Sequence, residues 1–174
     1  MPKPVSSAAL PIAHAVLRIL LVLNWLMGAA IVILLMIMPN EGWIMEAFKL
    51  TASPDADKVI MGLRAVAVLG LVCIPFNYVV LKRLLAIIET VRAGDPFVAA
   101  NAQRLHDIAW VLLALQLLSV VIGAIGKSVS SPAHPVHLNA GFSISGWLAV
   151  ILTFVLARVF AAGTLMRDDL EGTV

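Results

Sequence analysis

Four long apolar runs constrain this chain more than any other feature: Val16 to Met38, Val59 to Leu81, Ile108 to Gly126 and Phe142 to Gly163. Each is about 19 to 23 residues, and at a helical rise of about 1.5 Å per residue such a run crosses a hydrocarbon core of roughly 30 Å. Backbone in hydrocarbon must satisfy its own hydrogen bonds, so the runs predict helices. The expected fold is all-α: a polytopic membrane protein with four transmembrane helices in a bundle and a cytoplasmic helical hairpin, residues 82–107, between spans two and three. The hairpin is the longest stretch outside the runs and falls far below a domain floor of about 50 residues, so residues 1–174 read as one domain.

Composition agrees with the span count. The chain is 61% hydrophobic and 13% charged, where a soluble domain carries about 25% charge. Its net charge of +2 reflects basic loops on one side of a bilayer, and no basic patch is interleaved with aromatics, so direct nucleic-acid binding is not expected. The first run is too long for a cleavable leader: Gly28, Ala29 and Ala30 are followed by Ile31 to Ile37 without a break, which reads as an uncleaved span. Cys73 is the single cysteine and lies inside the second run, so no intramolecular disulfide can form.

Loop charge sets the expected orientation. Lys82, Arg83, Arg92 and Arg104 lie between spans two and three, whereas the first connection mixes Lys49 and Lys58 with Glu41, Glu46, Asp55 and Asp57. The basic segment therefore reads as cytoplasmic, with both termini, and Trp43 falls in the outer interfacial belt. Within that segment Leu81, Leu84, Leu85, Ile88 and Val91 recur at helical spacing, with Lys82, Arg83, Glu89 and Arg92 on the other face, so the second helix is expected to run past the membrane. Gly94 supplies a stop, Asp95 before Pro96 forces an extended or turn geometry, and Asn101 or Asp95 serves as cap for the next helix.

Polar residues inside spans normally face protein rather than lipid. Asn24, Asn77, Gln116 and Ser119 are the candidates for an intramembrane polar cluster, as interhelical hydrogen bonds or as a ligand pathway, and Pro75 is expected to bend span two beside Asn77. Arg64 and Arg158 fall near span ends, where long side chains reach headgroups. No Asp, Glu or Lys lies deep in a run, which argues against an ion-coupled transporter. Ser145, Ala149, Thr153, Ala157 and Ala161 place a small residue at every fourth position of span four, a stripe for close packing within the chain or between protomers. His134 and His137 sit in an outer loop broken by Pro132 and Pro135, and His14 and His106 lie at the cytoplasmic ends of spans, so neither a metal nor a haem is expected. No nucleophile–base set or phosphate loop stands at mechanistic spacing, and the chain is read as a non-enzyme without a cofactor.

Two stretches add a family likeness. Arg92 to Trp110, RAGDPFVAANAQRLHDIAW, resembles the Gly-x-Pro-Phe, then Asn, then Arg-Leu pattern leading into the third span of a bacterial membrane family called domain of unknown function 2975. The end of the chain is similar too, with Phe160, Gly163, Leu165, Asp168, Asp169, Gly172, Thr173 and Val174 in that family's closing pattern. The chain departs from it at Arg158, where members often carry Glu, and at His106, where Arg or Lys is commoner. The resemblance implies the bacterial inner membrane, no established activity, and genes often found beside a small helix-turn-helix regulator. The expected function is a membrane-anchored regulatory partner docking such a cytoplasmic protein through Gly94, Pro96, Phe97, Asn101, Asp168, Asp169 and Glu171. The alternative is a small permease or lipid-interacting pore subunit acting as a homo-oligomer through Asn24, Asn77, Gln116 and Ser119.

Overall fold

The computed structural model describes residues 9–37, 54–130 and 140–171. Met38, Trp43, His134, His137, Gly172, Thr173, Val174 and the side chains of Asp168 and Glu171 lie outside the described residues. Within them the chain forms α1 (Ala9–Ile37), α2 (Pro54–Arg92), α3 (Ala99–Val129) and α4 (Ile144–Glu171), each long and apolar enough to span a bilayer. α2 has 39 residues, about 58 Å by the helical rise, so it overshoots the hydrocarbon as its amphipathic end predicts.

The helices pack in chain order, α1 on α2, α2 on α3 and α3 on α4, and no other pair of these helices packs along its length. The expected bundle with one shared interior is thus a serial row. Burial follows from position in the row. α3 has a helix on each side and buries Leu105, Ile108, Ala109, Gln116 and Gly123, whereas terminal α1 buries only Gly28, whose lost side chain lets Ile74 of α2 approach. Leucines and valines left on the outer faces cost little when lipid covers them, because acyl chains are as apolar as they are.

The small-residue stripe of α4 does not form one seam. Ser145 and Ala149 are exposed, Thr153 and Ala161 half-buried, and only Ala157 is buried. A repeat of four overshoots the helical turn by about 40° per step, so the stripe winds around the helix. The seam against α3 runs instead through Gly146, Val150, Ala157 and Thr164. Gly146 lies directly under the Gln116 side chain, where a Cβ would collide with the amide.

Cross-helix contacts set the register. His14 lies 3.9 Å from Glu89, Arg83 2.8 Å from Asp107, and the rings of His106 and Phe154 are 5.8 Å apart. Arg18, Lys82, Arg83, Arg104 and Arg158 therefore gather near one end of the row, which we call the basic end. From Asp107 to Lys127 along α3 is about 30 Å, the thickness of a hydrocarbon core. Beyond the basic level stand the last turns of α2, the link 93–98, the first turns of α3 and the last turns of α4.

At the other end α4 starts late. The expected span began at Phe142, yet Ala140–Ser143 is non-helical and meets α3 at Ser119 and Gly123, inside the apolar run. Irregular backbone at that depth must be satisfied by protein. Ser119 does so: its Oγ accepts from the Gly141 N–H at 3.2 Å and donates to the Gly141 carbonyl at 3.3 Å. Gly123 makes room, since a Cβ there would lie 2.6 Å from the Ala140 oxygen. Ser143 then caps α4, its Oγ accepting from the Gly146 N–H at 3.2 Å.

Candidate functional site

The residues shared with the family pattern converge at the basic end. α2 closes in a Schellman motif: Gly94 at φ 86° donates to the Val91 carbonyl at 3.1 Å, and Asp95 donates to the Thr90 carbonyl at 3.0 Å. The stop read from Gly94 is therefore the observed one. The expected cap is not. The residue flanking α3 is Val98, whose side chain has no acceptor and makes no cap hydrogen bond, while Asp95 and Asn101 are engaged elsewhere. The Asp95 carboxylate pairs with Arg167 of α4.

Asn101 is the largest fully buried side chain among the described residues, at 0% exposure. Its Nδ2 donates to the Thr90 hydroxyl at 2.6 Å and to the Pro96 carbonyl at 2.9 Å, and its Oδ1 accepts from Arg104 at 2.7 Å. Thr90 donates onward to the Ile87 carbonyl at 2.7 Å. Every polar atom of the amide is used, as burial demands. The Asn and Arg of the pattern thus join the end of α2, the link and the start of α3, and Leu105 packs beside them, buried.

Phe97 joins the link to α4. Its ring lies 5.3 Å from that of Phe160, and a Cβ on Gly163 would come within 2.9 Å of it. The two stretches singled out in the sequence are therefore the two halves of one contact, Phe97 received by Phe160 and Gly163. Phe97 remains 43% exposed, and Leu165 and Met166 on the adjoining turn are 66% and 62% exposed. Asp169 is exposed as well. The Arg83–Asp107 ion pair braces α2 against α3 below this contact. The whole forms a braced head in which Gly94, Pro96, Phe97 and Asn101 hold structural places and their surroundings form the open surface.

The four intramembrane polar candidates do not meet. The row separates them: Asn24 and Asn77 lie at the α1–α2 groove with Leu20 and Met27, and Gln116 and Ser119 lie at the α3–α4 seam. Asn24 donates to the Ile74 carbonyl at 3.2 Å, in the peptide bond leading into Pro75, through which α2 continues as helix. Asn77 is exposed. Gln116 is 9% exposed and its Nε2 has no hydrogen-bond partner among the described residues.

Several contributors escaped sequence reasoning. Thr90 and Arg167 carry no motif of their own, and only the fold brings them to Asn101 and Asp95. Ser143 had a readable signal, a serine just ahead of an apolar helical run. His106 and Arg158, the two departures from the family pattern, line one groove between α3 and α4.

Four spanning-length helices with a charged, braced head at one end define a multi-pass helical membrane protein. The chain belongs to the family described as protein of unknown function DUF2975, whose profile matches residues 14–174. No curated protein and no solved structure matches it.

Proposed function

We propose that this protein is a membrane-anchored regulatory partner whose basic end faces the cytoplasm of a bacterium and docks a soluble protein. The observation that carries this reading is the braced head. A link that only connected two spans would need neither a fully buried, fully bonded Asn101 nor a ring held between Phe160 and Gly163. Holding the link rigid preorganises a surface, and preorganisation lowers the ordering cost of binding. That surface offers the open edge of Phe97 with Leu165 and Met166, and the sequence that follows carries Asp168, Asp169 and Glu171.

The partner this surface suits is basic with an apolar anchor, such as a small helix-turn-helix protein. The carboxylates would compete with DNA phosphates for its lysines and arginines. The test is affinity purification of the tagged chain in mild detergent beside a chain truncated after Arg167 and carrying Phe97→Ala, with circular dichroism confirming that both stay helical. Recovery of a small DNA-binding protein by the intact chain alone, and its loss from DNA when the purified pair is mixed, supports docking. An intact chain that returns only itself sinks it.

A second reading has its own observation. Among the described residues, serial packing leaves the outer faces of α1 and α4 without a helix to cover them, which suits a homo-oligomeric permease or pore subunit. That reading predicts loss of function at Asn24, Asn77 and Gln116 rather than in the head.

A further inference from the structure

The groove between the start of α3 and the end of α4 has a volume of about 620 Å³. Its floor is narrow-sided alanine, Ala102, Ala157 and Ala161, and its polar lining is Gln103, His106, Arg158 and Thr164, whose hydroxyl donates to the Phe160 carbonyl at 2.9 Å. Arg158 has no hydrogen bond or ion pair among the described residues. That is unusual for a guanidinium set in an apolar stretch of helix, where arginines are normally paired or reach headgroups.

Arg158 is the one formal charge in the described polar lining. The His106 Nε2 accepts from the Trp110 indole N–H at 3.0 Å, which leaves the ring proton on Nδ1 as a donor. Gln103 spends its amide N–H on Asp107 at 2.8 Å, and Asp107 is neutralised by Arg83 at 2.8 Å. No carboxylate lines the groove among the described residues. The site is therefore complementary to an anion.

Depth identifies the source of that anion. Trp110 is 56% exposed one turn from His106, with its ring 5.4 Å from that of Phe154. Exposed indoles settle at the membrane–water boundary, which places Arg158, one turn beyond Phe154, at the level of the phosphates. The aromatic wall of Trp110 and Phe154 continues toward the hydrocarbon, where an acyl chain would follow it.

We infer that the α3–α4 groove is a binding site for an anionic phospholipid of the basic-side leaflet, with its phosphate on Arg158 and His106 and its headgroup over the alanine floor. A phosphatidylglycerol brings a net negative charge to the Arg158 guanidinium, whereas a phosphatidylethanolamine is zwitterionic and sets its own ammonium near that cation.

The test uses the full chain in mild detergent, with native mass spectrometry and thermal unfolding in added phosphatidylglycerol, phosphatidylethanolamine or inorganic phosphate. The expected result is retention of phosphatidylglycerol at about tenfold lower concentration than phosphatidylethanolamine, and a loss of that preference in Arg158→Gln, the size of one charge-assisted contact. Ala161→Leu fills the groove without changing charge and should abolish retention of both lipids. Should Ala161→Leu fail to fold, Arg158→Lys provides the second variant, keeping the preference for the anionic lipid while weakening it. Equal retention of the two lipids, an unchanged preference in Arg158→Gln, or stabilisation by inorganic phosphate alone would each overturn the inference. So would a groove that Ala161→Leu shows to be a contact between two copies.

Discussion

At the scale of single residues, Asn101 carries more than its neighbours. Its amide links three segments while buried from solvent. Removing it takes a donor from the half-buried Pro96 carbonyl and Thr90 hydroxyl and an acceptor from Arg104, a cost of about 1–3 kcal/mol in all. The Asp95–Arg167 pair is different: both side chains are about two-fifths exposed, and such pairs contribute at most about 1 kcal/mol. Asn101→Ala should therefore lower the unfolding temperature in detergent clearly more than Asp95→Asn does. The reverse order would show that the ion pair, not the amide, holds the head. Asn101 was visible in the sequence as a polar residue before an apolar run, but as a cap. Its actual role depends on Thr90 and Pro96, which no local pattern aligns with it.

At the scale of elements, the turn from α2 into α3 was legible because its cause is local. Gly94 sits at φ 86°, a conformation that costs residues with a Cβ about 1–2 kcal/mol, with asparagine the most tolerant of them. Gly94→Val should destabilise the head, and Gly94→Asn should recover most of the loss in the same thermal assay. Equal behaviour of the two would count against the Schellman stop. The start of α4 was less legible. An apolar run that begins at Phe142 invites a helix from there, yet the segment 140–143 is held by Ser119 and Gly123, distant in sequence. Ser119→Ala removes both bonds to Gly141 and should expose this segment, read as faster hydrogen exchange at Gly141 and Phe142 with little change in the head. Unchanged exchange there would mean that Ser119 is not what secures it.

At the scale of the whole molecule, the helices pack in chain order, with Arg18, Lys82, Arg83, Arg92, Arg104, Arg158 and Arg167 toward one end and Lys58, Arg64 and Lys127 toward the other. Under the proposed orientation, single cysteines introduced in a Cys73→Ser background at Arg92 and Gln103 should resist a membrane-impermeant maleimide in intact cells and react once the membrane is opened. Lys127→Cys should react in intact cells. Labelling of Arg92→Cys from outside would invert the topology and remove the cytoplasmic partner from consideration. The small-residue stripe of α4 shows why the row could not be foreseen: each helix has apolar residues on every side, so periodicity does not say which side meets a neighbour.

The sequence by itself determined the number of spans, their helical character, the overshoot of α2, the stop at Gly94 and the concentration of positive charge at one end. These follow from length, hydropathy, local backbone preference and charge count, none of which needs a partner in space. Only the tertiary structure decided that the polar residues divide between the two outer seams, that Asn101 is a linker rather than a cap, and that Phe97 closes on Phe160 and Gly163. In lipid, apolar faces are nearly equal in energy, so the choice among them rests on close packing and a few buried hydrogen bonds between residues far apart in the chain.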